Sequence, residues 1–455
     1  MTRRGDSPLA TQPALRRELG LWDLVLLNIS AVVGVRWISA AAHSGPGAFL
    51  LQASAAVFFF IPCAIAVSSL SRRFPEEGGL YVWSREAFGP WHGFLCAWFY
   101  LISNIVFFPT VLLAGLTMSS YMFGPSTVKA LESPGITMPL TLAALWLVFL
   151  CNLFGLNVGK WTANIGGAAS YLIVVILFLL GIVISSKDGL ATHFHFLPTI
   201  SFESVNLWSQ IAFAFIGLEL GAILGGEIKD PERVVPRAAG LSAVACVLFY
   251  FAGTFALLAL LPPERISVLT GLAQGGHAAG ERLGMPWISP AFAFLISIGI
   301  LGQVGGYIAG ISRLPYAIGL DRHMPPIFSR LHPRWKTPYV SLLSQGVAAT
   351  VFLIAMQTGE TVAAAYQVLV DMCTLTGFLP FLYIFGSAYR FGNRVAGASG
   401  FVVSAAAILL SLSPPEGIAS IWSFEMKLIG GCALLTGAGW LIFAHNRKSA
   451  TARAI

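Results

Sequence analysis

Residues 21–42 read Leu-Trp-Asp-Leu-Val-Leu-Leu-Asn-Ile-Ser-Ala-Val-Val-Gly-Val-Arg-Trp-Ile-Ser-Ala-Ala-Ala. The run has the length of a membrane span, about 20 apolar residues. It is interrupted at Gly34-Val35-Arg36-Trp37. A second apolar run, 207–225, is interrupted in the same manner at Phe215-Ile216-Gly217-Leu218-Glu219. Each interruption sets a glycine beside a formal charge at mid-span depth. An uncompensated charge there costs roughly 3 kcal/mol on insertion scales. Paired broken helices in corresponding positions of two halves point to a transport site at the bilayer midplane.

The rest of the chain fits that reading. Its 455 residues are 56% hydrophobic and only 10% charged, against about 25% charged in soluble domains. Lipid must therefore act as much of the solvent. Twelve candidate spans follow: 21–42, 49–70, 92–118, 138–154, 165–185, 207–225, 240–261, 288–311, 340–356, 362–388, 395–412 and 426–444. The runs are too long and continuous for barrel strands, and helices are the other way to cross a bilayer.

The net charge of +7 comes from 27 Lys and Arg against 20 Asp and Glu. Of the 27 basic residues, 21 fall in the N-tail, the even-numbered connections and the C-tail, 5 fall in the opposite loops, and Arg36 lies within a span. The positive-inside rule then places both termini in the cytoplasm of a multi-pass protein of the plasma (inner) membrane. The basic residues line a membrane surface, so no nucleic acid partner is expected. The six cysteines all fall inside expected spans and show no ligand spacing. No metal, no cofactor and no enzymatic motif is expected.

Four stretches carry a family resemblance. Leu21-Trp22-Asp23 leads to the first break and on to Gly45-Pro46-Gly47. Phe74-Pro75 precedes Gly78-Gly79 and Tyr81. Phe213 to Glu219 is followed by Glu227-Ile228-Lys229-Asp230-Pro231 and Pro236-Arg237-Ala238. Ser312-Arg313 precedes Asp321-Arg322-His323-Met324-Pro325 and Thr337-Pro338. In this order the stretches resemble the amino acid–polyamine–organocation (APC) superfamily of transporters. The Pro75-Glu76-Glu77-Gly78-Gly79 wording is most similar to glutamate/GABA-antiporter-like and general amino acid permeases.

The resemblance implies an all-α integral membrane protein with 12 transmembrane helices. A LeuT-like 5+5 inverted repeat, residues 21–185 and 207–388, is followed by helices 11 and 12 in 395–444. Residues 1–20 and 445–455 are the cytoplasmic tails. The implied activity is secondary transport of an amino acid, acidic or neutral, by proton-coupled symport or exchange. The alternatives are a sensor that binds without net flux and a carrier of a non-amino-acid amine. The partners are then the substrate, membrane lipid and protons.

The resemblance also implies the site. Gly34, Val35, Arg36 and Trp37 would meet the substrate carboxylate, where helix-end N–H groups and the dipole favour an anion. Phe215, Ile216 and Gly217 would receive its amine. Arg36 stands where the family pattern has a second glycine. It is read as a carboxylate ligand, as a stand-in for a coupling cation, or as a structural partner of Glu219 or Asp371. Glu219 and Asp371 are the candidates for coupling and gating. Asn28, Asn104, Gln303 and Tyr307 are further mid-span polar groups, Asn104 and Gln303 expected as interhelical hydrogen-bonders. Two glycine ladders, Gly217/Gly221/Gly225 and Gly302/Gly306/Gly310, allow close helix approach in lipid. A charge network of Glu227, Lys229, Arg233 and Arg237 with Arg72, Arg73, Glu76 or Glu77 is expected at the inner face, as a latch or as ordinary solvation.

Overall fold

A computed structural model describes residues 17–124, 127, 130–131, 133–194, 202–357, 362–412 and 429–452. Most of the N-tail, the first residues of the twelfth expected span and residues 453–455 lie outside the described residues. The two apolar runs with misplaced charges are each two helices. The first forms α1 (Leu21–Val32) and α2 (Val35–His43), bent by 41° relative to each other. The chain then forms α3 (Ala48–Arg73), α4 (Leu80–Phe88), α5 (Pro90–Ser119), α6 (Pro134–Leu153) and α7 (Leu156–Asp188). The second broken pair is α8 (Phe202–Phe213) and α9 (Leu218–Ile223). There follow α10 (Pro231–Leu260), α11 (Gly271–Leu283), α12 (Ile288–Ile311) and α13 (Arg313–Leu320). Last come α14 (Tyr339–Gln357), α15 (Val362–Arg390), α16 (Arg394–Ser411) and α17 (Gly431–Ala452). Among the described residues, eight helices are long and apolar enough to cross a membrane, or nine with α1 and α2 as one span. Leu207–Ile223 and Tyr339–Ala355 are shorter apolar helical stretches.

Both breaks differ slightly from the sequence expectation. The first falls at Val33-Gly34, and Arg36 and Trp37 already lie in α2. The second spans residues 214–217, and Glu219 lies in α9. In each run the glycine caps the resumed helix, a position that favours glycine, so the charged residue after it is already helical.

Close helix contact builds the scaffold. A Cβ at Gly302 of α12 would overlap the backbone of Gly166 in α7. The two backbones thus touch with no side chain between them, the contact that small residues permit in lipid. A π-turn at Ala56–Phe60 rotates α3 so that Phe59 and Phe60 are both buried. Phe59 packs on Phe378, Phe381 and Phe385 of α15, and Phe60 on Phe215 beside the second break. Among the described residues the one strand-like contact is a parallel bridge between Leu19 and Ile228, which ties the N-tail to the chain just after α9.

Replacing Gly302 with valine is expected to force α7 and α12 apart. Overpacking of this kind costs about 1–3 kcal/mol, read as a lower melting temperature of the detergent-solubilised protein.

Candidate functional site

The two breaks meet. Gly217 has a φ of 140°, a conformation open to glycine and strained for other residues. A Cβ there would lie 2.9 Å from the Val32 amide nitrogen and 3.0 Å from the Tyr307 hydroxyl. Glycine is therefore needed twice, for the backbone angle and for the approach of the second break to the first.

Tyr250 of α10 joins them. Its hydroxyl accepts a hydrogen bond from the Gly34 N–H at 3.1 Å and lies 2.6 Å from the Val32 carbonyl and 2.9 Å from the Ala214 carbonyl. One hydroxyl thus accepts from one strip and has its single proton within reach of a carbonyl of each strip. Two side chains of α12 add to this. Gln303 Nε2 donates to the Ala31 carbonyl at 3.0 Å, and the Tyr307 hydroxyl donates to the Ile216 carbonyl at 3.3 Å. With no water in the bilayer core, such side chains are what make a broken span tolerable.

Between the strips lies a cavity of about 20 Å³. That is room for little more than one water. Trp37, Phe107, Phe213 and Ile216 form its apolar wall, and Tyr100, Asn104, Gln303 and Tyr307 its polar one. Trp37 folds back over Gly34 and meets Phe213 edge-on, with ring centroids 5.6 Å apart.

The sequence-derived residues divide into two groups around this cavity. Gly34, Phe215, Ile216 and Gly217 are at the breaks, with Val35 opening α2 and Trp37 in its first turn. Phe215 is buried against Phe60 and Tyr250. Glu219 is fully buried and held locally: the Tyr100 hydroxyl donates to Oε1 at 2.5 Å and the Gly217 N–H donates to Oε2 at 3.1 Å.

Arg36 lies behind the aromatic wall. It is 2% exposed, with its guanidinium carbon 4.3 Å from the Trp37 ring centroid and 5.0 Å from that of Phe107. None of its three guanidinium nitrogens has a hydrogen-bond partner among the described residues. The Tyr366 hydroxyl stands beside it and interacts with the guanidinium, and Cys373 lies within the electrostatic range of both Arg36 and Asp371. Asp371 is buried on α15. Ring faces attract a cation by about 2 kcal/mol when desolvated, well short of what a buried charge gives up in leaving water.

Two expected interhelical bonds had different outcomes. Gln303 crosses to α1, whereas Asn104 Nδ2 donates back to the Tyr100 carbonyl of its own helix at 2.7 Å. Tyr250 and Tyr100 were missing from the sequence-derived site. A lone tyrosine in an apolar run has the pattern of a core residue, and nothing local marks what its hydroxyl will reach.

Residues 19–413 match the amino acid permease family. The chain belongs to that family. An uncharacterised transporter of Legionella pneumophila is 28% identical to this permease over 94% of this chain and 96% of its own. A probable agmatine/putrescine antiporter, AguD, of Lactococcus lactis is 22% identical, over 74% of this chain and 72% of that one. The serine/threonine exchanger SteT of Bacillus subtilis is 25% identical, over 75% and 77%. Among solved structures, MhsT in complex with L-phenylalanine superposes with a TM-score of 0.62 at 14% identity, covering 88% of the permease and 99% of MhsT. The fold is the all-helical LeuT type, and the permease is a multi-pass membrane protein of a transporter family.

Tyr250→Phe leaves the Gly34 N–H and the Val32 and Ala214 carbonyls without this partner. A buried group so stranded costs about 1–3 kcal/mol. The expected outcome is a lower melting temperature with the helical circular dichroism signal retained.

Proposed function

We propose that the permease carries an amino acid across the membrane by alternating access, with the zwitterion held between the two breaks. The observation that carries this reading is the meeting of both unwound strips at one small cavity, stitched by a single hydroxyl. The substrate carboxylate faces the first N–H groups of α2, where the helix dipole favours an anion. The Ala214 and Ile216 carbonyls take its ammonium group. Each of them already accepts one hydrogen bond and has a second lone pair.

Arg36 supplies positive charge on the carboxylate side. Its unbonded guanidinium favours that role over a structural ion pair with Glu219, whose two oxygens are engaged by Tyr100 and Gly217. A cation behind the cavity wall also disfavours diamines, and favours neutral or acidic amino acids. Glu219, buried beside the second break, is the coupling group, and Asp371 with Arg36 gates the side on which α2 ends. The basic face, with both tails, lies in the cytoplasm, and the first two spans of each five-helix repeat, 21–185 and 207–388, move as a bundle against the remaining helices of the core.

The test is uptake by purified protein in liposomes, using labelled neutral and acidic amino acids with a diamine as control. Accumulation driven by an inward proton gradient establishes symport, and counterflow without such accumulation establishes exchange. Binding without either flux would sink the transport reading in favour of a sensor. Uptake of the diamine alone would sink the amino acid. Arg36→Gln is expected to weaken apparent affinity at least tenfold, about 1.4 kcal/mol. Glu219→Gln is expected to abolish gradient-driven accumulation while counterflow continues.

A further inference from the structure

On the face that holds the N-tail, the loop 74–79 seals against α9 and the residues after it. The Gly78 N–H donates to the Ile223 carbonyl at 3.0 Å. Gly225 lies so close to the Pro75 and Glu76 carbonyls that a Cβ there would overlap them. The loop cannot leave α9 without breaking these backbone contacts.

Three ionisable groups meet at that seal. Arg313 and Glu227 are each 2% exposed. Arg313 Nε and Nη2 both donate to Glu227 Oε1 at 3.1 Å. Its Nη1 donates to the Ala309 carbonyl at 2.6 Å and to Ser312 Oγ at 2.9 Å. Glu77 enters from the loop, with its Oε2 accepting the Gly226 N–H at 2.7 Å. Its Oε1 is buried without a hydrogen-bond partner among the described residues, although part of the residue reaches the surface. The groups facing Glu77 are the Gly226 N–H, Glu227, Arg313 and Tyr316, and Glu18 of the N-tail bears on Glu227 in turn. Two carboxylates therefore share one guanidinium that Glu227 already occupies.

We propose that Glu77 is a proton-binding site in the gate of this face: the closed seal requires Glu77 neutral, and parting the loop from α9 releases its proton to water. The ligand is a proton from the solution on that side. The proposal rests on the alternating-access reading, which makes this seal one of the permease's two gates.

Burial, reinforced by the neighbouring Glu227, pushes the Glu77 carboxyl up to about 8, while Arg313 and the Gly226 amide pull it partly back. Burial also raises Glu227, and Arg313 opposes that rise. In an open gate Glu77 meets water and returns towards its ordinary value of 4.5. Between those values the closed state binds the extra proton. Closure is thus most stable at low pH and weakens as pH rises, by at most about tenfold per pH unit. The loss ends near pH 8.

Hydrogen exchange of the full-length protein in lipid nanodiscs tests this, with rates corrected for intrinsic exchange from about pH 5.5 to 8.5. Peptides covering 74–79 and 223–229 are expected to lose protection as pH rises and to level off near the top of the range. Glu77→Gln, which cannot ionise, should stay protected throughout. Glu227→Gln should move the transition to lower pH, because Arg313 then serves Glu77 alone. A flat wild-type profile overturns the proposal, as does a transition that Glu77→Gln leaves in place. Should Glu77→Gln fail to fold, an unmoved midpoint in Glu227→Gln overturns it instead. The readout needs no substrate, so failure of amino acid flux in liposomes is seen separately from failure of the proton site.

Discussion

Hydrocarbon offers no hydrogen bonds, and that constraint organises the site. A span that breaks must satisfy its freed backbone from side chains. Here Tyr250, Gln303 and Tyr307 do so, and their placement requires α10 and α12 to stand directly against both breaks. Those two helices are held in turn by close contacts, with α12 lying on α7 at Gly302 and Gly166. The glycine contacts, the tyrosine hydroxyl and the unwound strips are successive links of one arrangement.

The same solvent explains the cost of Arg36. Three unbonded guanidinium nitrogens in a buried setting are a standing demand for an anion. Two aromatic faces moderate that demand without meeting it. Glu219 has the opposite situation, with short bonds from Tyr100 and Gly217. One buried charge rests on aromatic faces, and the other is held by hydrogen bonds.

The breaks were legible in the sequence because a glycine beside a charge weakens an apolar span twice, once in helix propensity and once in desolvation. Their exact edges were not: the helices resume at Val35 and at Leu218, directly after the capping glycines and before the charges. Gln303 was legible as a crossing hydrogen-bonder, since a buried amide in lipid must find a partner. Asn104 found its partner one turn back, a choice that spacing alone does not decide. Tyr250 was invisible for a related reason: its role lies in two strips far from it along the chain. The inner-face network was expected from the density of charge around 227–237. Arg313, the partner that Glu227 takes, comes from another helix end, and Arg233 pairs locally with Asp230.

The bridge between Leu19 and Ile228 gives the chain a handle. The Glu18 and Leu19 N–H groups both donate to the Glu227 carbonyl, at 2.9 and 3.0 Å, and the Lys229 N–H donates back to the Leu19 carbonyl at 2.9 Å. Tension applied to the N-terminal tail is therefore delivered within one residue of the Glu227–Arg313 pair. An anchored partner or a surface-bound tag at that end would pull on the contact between loop 74–79 and α9 itself, so mechanical load on the tail reaches this buried ion pair directly.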